Sequence, residues 1–436
     1  MTTFERGGVH PPENKELSRA KHLESIDAPE FVCIPMLQHI GAPSKPIVNV
    51  GDKVVKGQMI AEAGGFVSIP QHASVSGVVE SIDIKQNILG KKVTHITIKS
   101  DISDVATLEE KRDPINATPD DLRNWVLNAG IVGMGGAAFP THVKLTPPKG
   151  KKIDTLIING VECEPYLTSD HELMMEKGKE ILVGIRLTMR MLSVNKVVIG
   201  IESNKHDSYE KFVSLTVEDD KVDIELLDVK YPQGGEKQLI KALTGREVPS
   251  GGLPFDVGVI VHNVSTMYAI WDACVRGRAL IERVVTVTGD AVERPANLIV
   301  PIGTSIRYLL NRQGLNTDVK KVIAGGPMMG VAIADLDLPI TKGSGGILAL
   351  KELPDTRTRP CIRCGKCITV CPMGLIPCEL ESAIEFSNSE RYKNLNVLDC
   401  MECGSCAYIC PARRQIVQRI KEAKEMIMLD KIKGEK

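Results

Sequence analysis

From Asp154 onward the chain alternates short apolar runs with longer stretches whose apolar residues recur every three or four positions. The runs predict strands at Asp154–Asn159, Lys196–Ile201, Val222–Asp228 and Asp256–His262. The periodic stretches predict helices at Glu172–Leu192, Glu236–Leu243 and Ser265–Val275. Strands alternating with helices in this way predict an α/β layer with a largely parallel sheet. Ahead of it, a helix begins at Asp120 or Asp121, runs through Leu127 and is ended by Gly130. Residues 30–100 carry a different pattern, short Val/Ile-rich runs broken by Gly, Pro and Asp, which reads as all-β. Residues 280–350 return to short β runs around Gly289, Gly303, Gly325-Gly326 and Gly343-x-Gly345-Gly346, with one helix near Ser305–Gln313, as in a β-grasp. Beyond Pro354 the regular patterns give way to cysteines, a helical stretch at Glu379–Phe386 and a basic tail.

The chain therefore divides into an N-terminal β-rich module (1–110), an α/β domain (111–278), a β-grasp-like module (279–352), a cysteine-rich domain (353–412) and a C-terminal helix (413–436), an α/β multidomain protein. The β-rich stretch resembles the flattened barrel-sandwich of biotinyl and lipoyl carriers. Where a carrier presents its lysine, this chain has Ala63-Gly64-Gly65-Phe66-Val67-Ser68, so the module is expected to be structural. The tail reads either as a packed terminal helix or as a contact for a membrane surface or partner.

Composition narrows the function classes. A net charge of −1 gives no pull toward nucleic acid, and 4% aromatic content offers no stacking platform for bases. No apolar run reaches the length of a membrane span, so any ion path across a membrane belongs to other subunits. The opening Met1-Thr2-Thr3-Phe4-Glu5-Arg6 carries no apolar signal segment, which makes a reducing cytoplasm the expected compartment.

Eight of the 12 cysteines form two copies of one pattern, Cys361-x-x-Cys364-x-x-Cys367-x-x-x-Cys371-Pro372 and Cys400-x-x-Cys403-x-x-Cys406-x-x-x-Cys410-Pro411. This is the thiolate spacing that holds [4Fe–4S] clusters, in which the fourth cysteine of each run serves the other cluster. The expected sets are Cys361, Cys364, Cys367 and Cys410 for cluster 1, and Cys371, Cys400, Cys403 and Cys406 for cluster 2. Zinc sites seldom use four cysteines in this rhythm followed by Pro, and disulfides do not suit a reducing compartment. The 28-residue spacer between Cys371 and Cys400 is longer than in small bacterial ferredoxins. Cys33, Cys163, Cys274 and Cys378 read as buried thiols.

Gly133-Met134-Gly135-Gly136-Ala137-Ala138-Phe139-Pro140 contains G-x-G-x-x-A, but a helix precedes it where a dinucleotide fold has a strand. Its glycines still permit close backbone approach to a flat or phosphorylated ligand. Lys144, just beyond, could meet a phosphate, or be one of 54 basic residues with no such role. Asn159–Pro165, Tyr231–Glu236 and His262–Thr266 each follow a predicted strand, where open α/β sheets bind ligands; individually they could equally be helix N-caps, as Asn263 or Ser265 would be. Clusters pass one electron at a time and a nicotinamide carries a hydride, so a chain holding both needs a converter, and a flavin is the usual one.

Gly133–Lys144, Asn159–Pro165, Tyr231–Glu236 and Asn263–Thr266 resemble the FMN- and NADH-binding loops of the flavoprotein subunit of respiratory complex I. Gly7-Gly8-Val9-His10-Pro11-Pro12-Glu13-Asn14-Lys15, the β module and the twin cysteine motifs look like the RnfC family, a component of Rnf ion-translocating complexes, which exchange electrons between ferredoxin and NAD. The resemblance implies that Gly133, Gly135, Lys144, Asn159, Glu162 and Asn263 touch FMN and that Phe139, Glu164 and Glu236 face the nicotinamide nucleotide. It departs from the flavoprotein at Met134 (Arg there), Val161 (Asp there) and Gly235-Glu236 (Glu-Glu there). Covalent flavin attachment in sister subunits uses Ser-Gly-Ala-Thr, absent here, so FMN is expected to be non-covalent.

The implied function is a peripheral, NADH/NAD-linked iron–sulfur flavoprotein oxidoreductase within a translocase. It would sit on the cytoplasmic face of the cell membrane among integral subunits and a ferredoxin-like iron–sulfur subunit, with NAD(H) as substrate and no nucleic-acid partner. Two other readings fit the modules less completely, a cobalamin-reductase-like enzyme and a wiring subunit without a working flavin site.

Overall fold

The computed structural model describes residues 1–101, 108–353, 355 and 357–434. Residues 102–107 of the predicted N-terminal module, 354 and 356 at the predicted start of the cysteine-rich domain, and 435–436 of the predicted tail lie outside the described residues.

The α/β domain is built on four parallel strands in the order Val222–Leu227, Val197–Glu202, Thr155–Gly160, Val259–Asn263. Three of them are buried almost throughout, because helices cover both faces. Ser169–Leu192 and Val264–Trp271 pack on one side, while Leu239 and Ile240 of the helix Glu236–Thr244 close the other over Ile157, Val161 and Val261. Thr155–Gly160 is central, with its sequence neighbour on one side and the last strand on the other. The chain order therefore reverses beside it, and its carboxyl end opens a crevice.

The predicted strands recur to within one residue at each end, with one larger difference. Asp256 and Val257 belong to a tight turn, Pro254–Val257, closed by Gly258 at φ 73°, so the last strand starts at Val259. The long helix starts at Ser169 instead of Glu172. Its free N–H groups at Asp170 and His171 are accepted by the Glu162 carboxylate, at 2.8 and 3.3 Å, a cap supplied from outside the local sequence. The helix predicted over Ser265–Val275 ends at Trp271 and passes into a wider turn at Asp272–Arg276. The helix ahead of the glycine loop spans Pro119–Asn128, capped by Thr118 and Asp121 in a reciprocal pair. His206–Leu215 is a helix that the apolar pattern did not reveal, since only Ser208 and Phe212 are buried on it.

Residues 31–100 fold into two small antiparallel sheets around Val32, Ile34, Ile60, Ile96 and Ile98. The β-grasp module centres on Glu282–Thr288, flanked by Ala296–Pro301 and Gly346–Leu350, with the helix Ile306–Arg312 beside it. The first 25 residues do not enter the barrel. Thr2 bridges Leu227, Val9 pairs with Tyr231, and Glu24–Ser25 adds an edge strand to the β-grasp sheet. Among the described residues no helix is long and apolar enough to cross a membrane.

Lys342 joins three modules. Its fully buried ammonium donates to Gly130 O at 2.8 Å and Pro70 O at 3.3 Å, and burial pulls its pKa down from 10.5 to about 7. Between about pH 7 and 10.5 the unfolded chain holds this proton and the folded one does not, so the lysine's contribution to stability grows as pH rises through that window. Lys342→Met is expected to flatten the thermal stability profile between pH 7 and 10; a profile parallel to the parent's would assign the slope to other groups.

Candidate functional site

Four loops meet at the crevice and bond to one another. Met134 N donates to Thr266 Oγ1 at 3.1 Å, Asn159 Nδ2 to Gly234 O at 2.9 Å, and Lys144 Nζ to Glu236 Oε1 at 2.7 Å and Val261 O at 2.9 Å. The glycine loop is itself closed by Gly133 N to Phe139 O at 2.8 Å. Gly135 must be glycine, since a Cβ there would lie 2.8 Å from Asn263 Nδ2, whereas Gly136 faces open space. Gly135, Gly136 and Ala137 are exposed at the mouth, and Phe139 is half-buried.

Beneath the mouth lies a buried polar network. Asn263 caps the helix Val264–Trp271 through Ser265 N and donates to Asp170 Oδ2 at 2.7 Å, while Ser265 Oγ donates to Asp170 Oδ1 at 2.6 Å. Burial first, and the nearby Glu162 second, raise the pKa of Asp170. Arg283, fully buried, ties the network to the glycine loop by donating to Met134 O at 2.7 Å. Lys15 Nζ donates to the carbonyls of Glu162 (2.9 Å), Glu164 (2.9 Å) and Leu167 (2.5 Å), and Lys205 Nζ to that of Val161 (2.7 Å). Burial, with Lys205 adding to it, lowers Lys15 to about 8.

Gly133, Gly135, Lys144, Asn159, Glu236 and Asn263 are thus brought to one crevice. Glu162 and Glu164 turn elsewhere: Glu162 caps the long helix, and Glu164 accepts Met328 N (3.1 Å) and Met329 N (2.8 Å) from the β-grasp turn, where burial raises its pKa. The donor set suits a flavin phosphate and ring: a lysine at the mouth, glycines that leave room, and the buried Gln233 Nε2, Gln238 Oε1 and His262 Nε2 without partners in the chain. Burial, then Lys144, holds His262 neutral, well below its usual range. Asp170, Gln233, His262 and Arg283 escaped the sequence reading, although His262 lies in a loop it singled out.

The two cysteine motifs share one backbone form. Arg363 and Glu402 have φ 53° and 61°, Gly365 and Gly404 have φ 73° and 82°, and a short helix follows each. The third residue of each run turns its N–H to the first thiol, Arg363 N to Cys361 Sγ and Glu402 N to Cys400 Sγ, both at 3.4 Å. Cys371, from the first motif, lines a cavity with Cys400, Cys403 and Cys406 of the second. In the other half, Arg359 N donates to Ala412 O at 2.9 Å, which lays the approach to Cys361 against the segment just past Cys410. Cys361 and Cys364 are exposed and Cys367 is buried, its thiol raised to about 12 by burial and by neighbouring Cys378. Of the four remaining cysteines only Cys274 is buried; Cys33, Cys163 and Cys378 are half-buried, a correction to their reading as core thiols.

The crevice and the cysteine domain touch. Tyr231 Oη donates to Cys403 O at 2.7 Å, and Val9, Tyr231 and Cys403 form a small apolar cluster with Cys163, Met328, Val370 and Met401 around it.

Four family models match in succession: the RnfC barrel sandwich hybrid domain at residues 3–103, the Nuo51 FMN-binding domain at 126–272, the SLBB domain at 284–332 and the 4Fe-4S dicluster domain at 355–411. An NAD+-reducing [NiFe]-hydrogenase chain shares the fold, with TM-score 0.50 and 18% identity over 72% of this chain and 63% of that one. Among sequence relatives, the RnfC-type component of the Na(+)-translocating ferredoxin:NAD(+) oxidoreductase complex of Acetobacterium woodii is 44% identical over 98% of both chains. The counterpart from the proton-translocating complex of Clostridium ljungdahlii is 46% identical over 96% of this chain and 93% of that one, and that from the ion-translocating oxidoreductase complex of Rhodobacter capsulatus 42% over 88% and 76%. With the glycine-loop crevice and paired cysteine motifs in one chain, this protein belongs to the RnfC family of ion-translocating oxidoreductase complexes.

Proposed function

We propose that this chain is the NAD(H)-facing module of a ferredoxin:NAD oxidoreductase complex that moves ions across a membrane. It would seat FMN non-covalently in the crevice and two [4Fe–4S] clusters in the cysteine motifs. The observation that carries this reading is the contact of the crevice with the second motif through Tyr231 and Cys403. Bound FMN accepts a hydride from NADH, or returns one to NAD, and exchanges its two electrons singly with the clusters.

The chain's own part is to bind and orient. Lys144, Gly133, Gly135, Asn159 and Asn263 would hold FMN, with Glu162 acting through the helix it caps. Phe139, Glu164 and Glu236 would face the nucleotide. Cys371, Cys400, Cys403 and Cys406 would hold the cluster beside the crevice, and Cys361, Cys364, Cys367 and Cys410 the outer one. Two exposed ligands make the outer cluster the exit toward a partner. We place the chain peripherally at the cytoplasmic face of the membrane, on integral subunits and a ferredoxin-like iron–sulfur subunit.

Anaerobic addition of NADH to the flavin- and iron-loaded chain tests the reading. Flavin absorbance should bleach first and cluster absorbance follow; a flavin that NADH leaves oxidised would overturn it. Glu164→Gln tests the acidic loop. The amide would set an N–H against Met328 N or Met329 N, loosening the loop. Slower NADH-dependent bleaching with both cluster spectra intact is expected, and parental NADH affinity and rate would remove Glu164 from the site.

A further inference from the structure

The Gly7–Lys15 segment is used by none of the cofactor assignments, yet it touches both the crevice and the cysteine domain. Gly7 sits at φ 70° on the backbone of Cys371, where an added Cβ would lie 2.6 Å from the carbonyl carbon. Gly8 N donates to Val370 O at 2.9 Å. Val9 and Tyr231 exchange both main-chain hydrogen bonds, each 2.9 Å, and Tyr231 Oη reaches Cys403 O. Further on, Glu13 O accepts Tyr166 N at 2.7 Å, and Lys15 gathers the carbonyls of Glu162, Glu164 and Leu167. Arg6, just before the segment, lies over Gly374, close enough that a Cβ there would collide with its guanidinium.

We propose that residues 6–15 are a positioning strap, which fixes the cluster held by Cys371, Cys400, Cys403 and Cys406 at a set distance from the flavin crevice. The proposal rests on the flavin-to-cluster reading above. One end of the strap grips a cluster ligand, its middle pairs with a crevice loop, and Lys15 pins the other crevice loop by its carbonyls. A single stretch therefore spans donor and acceptor sites that belong to domains more than a hundred residues apart in sequence. Only glycine suits its cluster end, since φ 70° and the approach to Cys371 both disfavour a side chain. Electron tunnelling decays steeply with separation, so a strap of this kind governs rate without touching either redox group's chemistry.

The test uses stopped-flow reduction of the full, cofactor-loaded chain by NADH, together with paramagnetic resonance of both clusters. Gly7→Ala should leave flavin bleaching at the parental rate, slow the following cluster reduction by about tenfold or more, and perturb the spectrum of the Cys371-containing cluster alone. Arg6→Ala, which keeps the backbone path, should slow cluster reduction less. Parental cluster reduction in Gly7→Ala overturns the proposal. If Gly7→Ala fails to fold, Arg6→Ala decides: slowed cluster reduction supports the strap, and an unchanged rate overturns it. A parent whose flavin NADH cannot reduce would instead overturn the reading on which the strap rests.

Discussion

Cys410→Ser is expected to remove the outer cluster, not the one held by its own motif. Iron should fall from about eight to about four atoms per chain, because serine is a poor substitute for a thiolate ligand. The physical ground is the pairing of segments: Cys371 shares a cavity with Cys400, Cys403 and Cys406, and the stretch after Cys410 is hydrogen-bonded to the approach to Cys361. The two losses should differ in consequence. In Cys410→Ser, NADH should still reduce the flavin and the inner cluster, with electrons unable to leave. In Cys403→Ser the inner cluster goes, and reduction should stop at the flavin. Paramagnetic resonance of the two variants decides the matter, and loss of the same cluster in both would mean uncrossed ligation.

Lys144→Met is expected to weaken FMN binding about ten- to hundredfold, since a hydrogen bond from a charged donor is worth roughly 1.5–3 kcal/mol. In the structure the ammonium holds Glu236 at 2.7 Å and the Val261 carbonyl at 2.9 Å, so it is already anchored at the mouth beside the glycine loop. Removing it also leaves Glu236 unpaired, and a free carboxylate there repels phosphate groups. Fluorescence titration with FMN measures the loss, and both cluster spectra should persist. An unchanged FMN dissociation constant would take Lys144 out of the flavin site.

The cysteine motifs were legible because cluster ligation is written in local spacing. The parallel sheet was legible because strands covered on both faces read as unbroken Val/Ile runs, as in Leu156–Ile158 and Val197–Ile199. What escaped were groups whose meaning lies in distant partners. Asp170 meets Asn263 across 93 positions, Arg283 meets Met134 across 149, and Lys15 meets Glu162 across 147. Glu162 shows the same limit from the other side. It stands in the expected loop, but its carboxylate serves a helix end, which also moved that helix's start three residues upstream. The helix His206–Leu215 stayed hidden because its apolar face is narrow.

Cys361 and Cys364 lie at the surface, while the second motif's Cys403 and Cys406 are buried. Where ligands are open, molecular oxygen and iron chelators reach the metal as readily as a redox partner does. The outer centre is therefore the fragile end of the chain, and air should bleach it before the inner one. A partner seated over those cysteines would shield them, so assembly into the complex is also protection from oxidation.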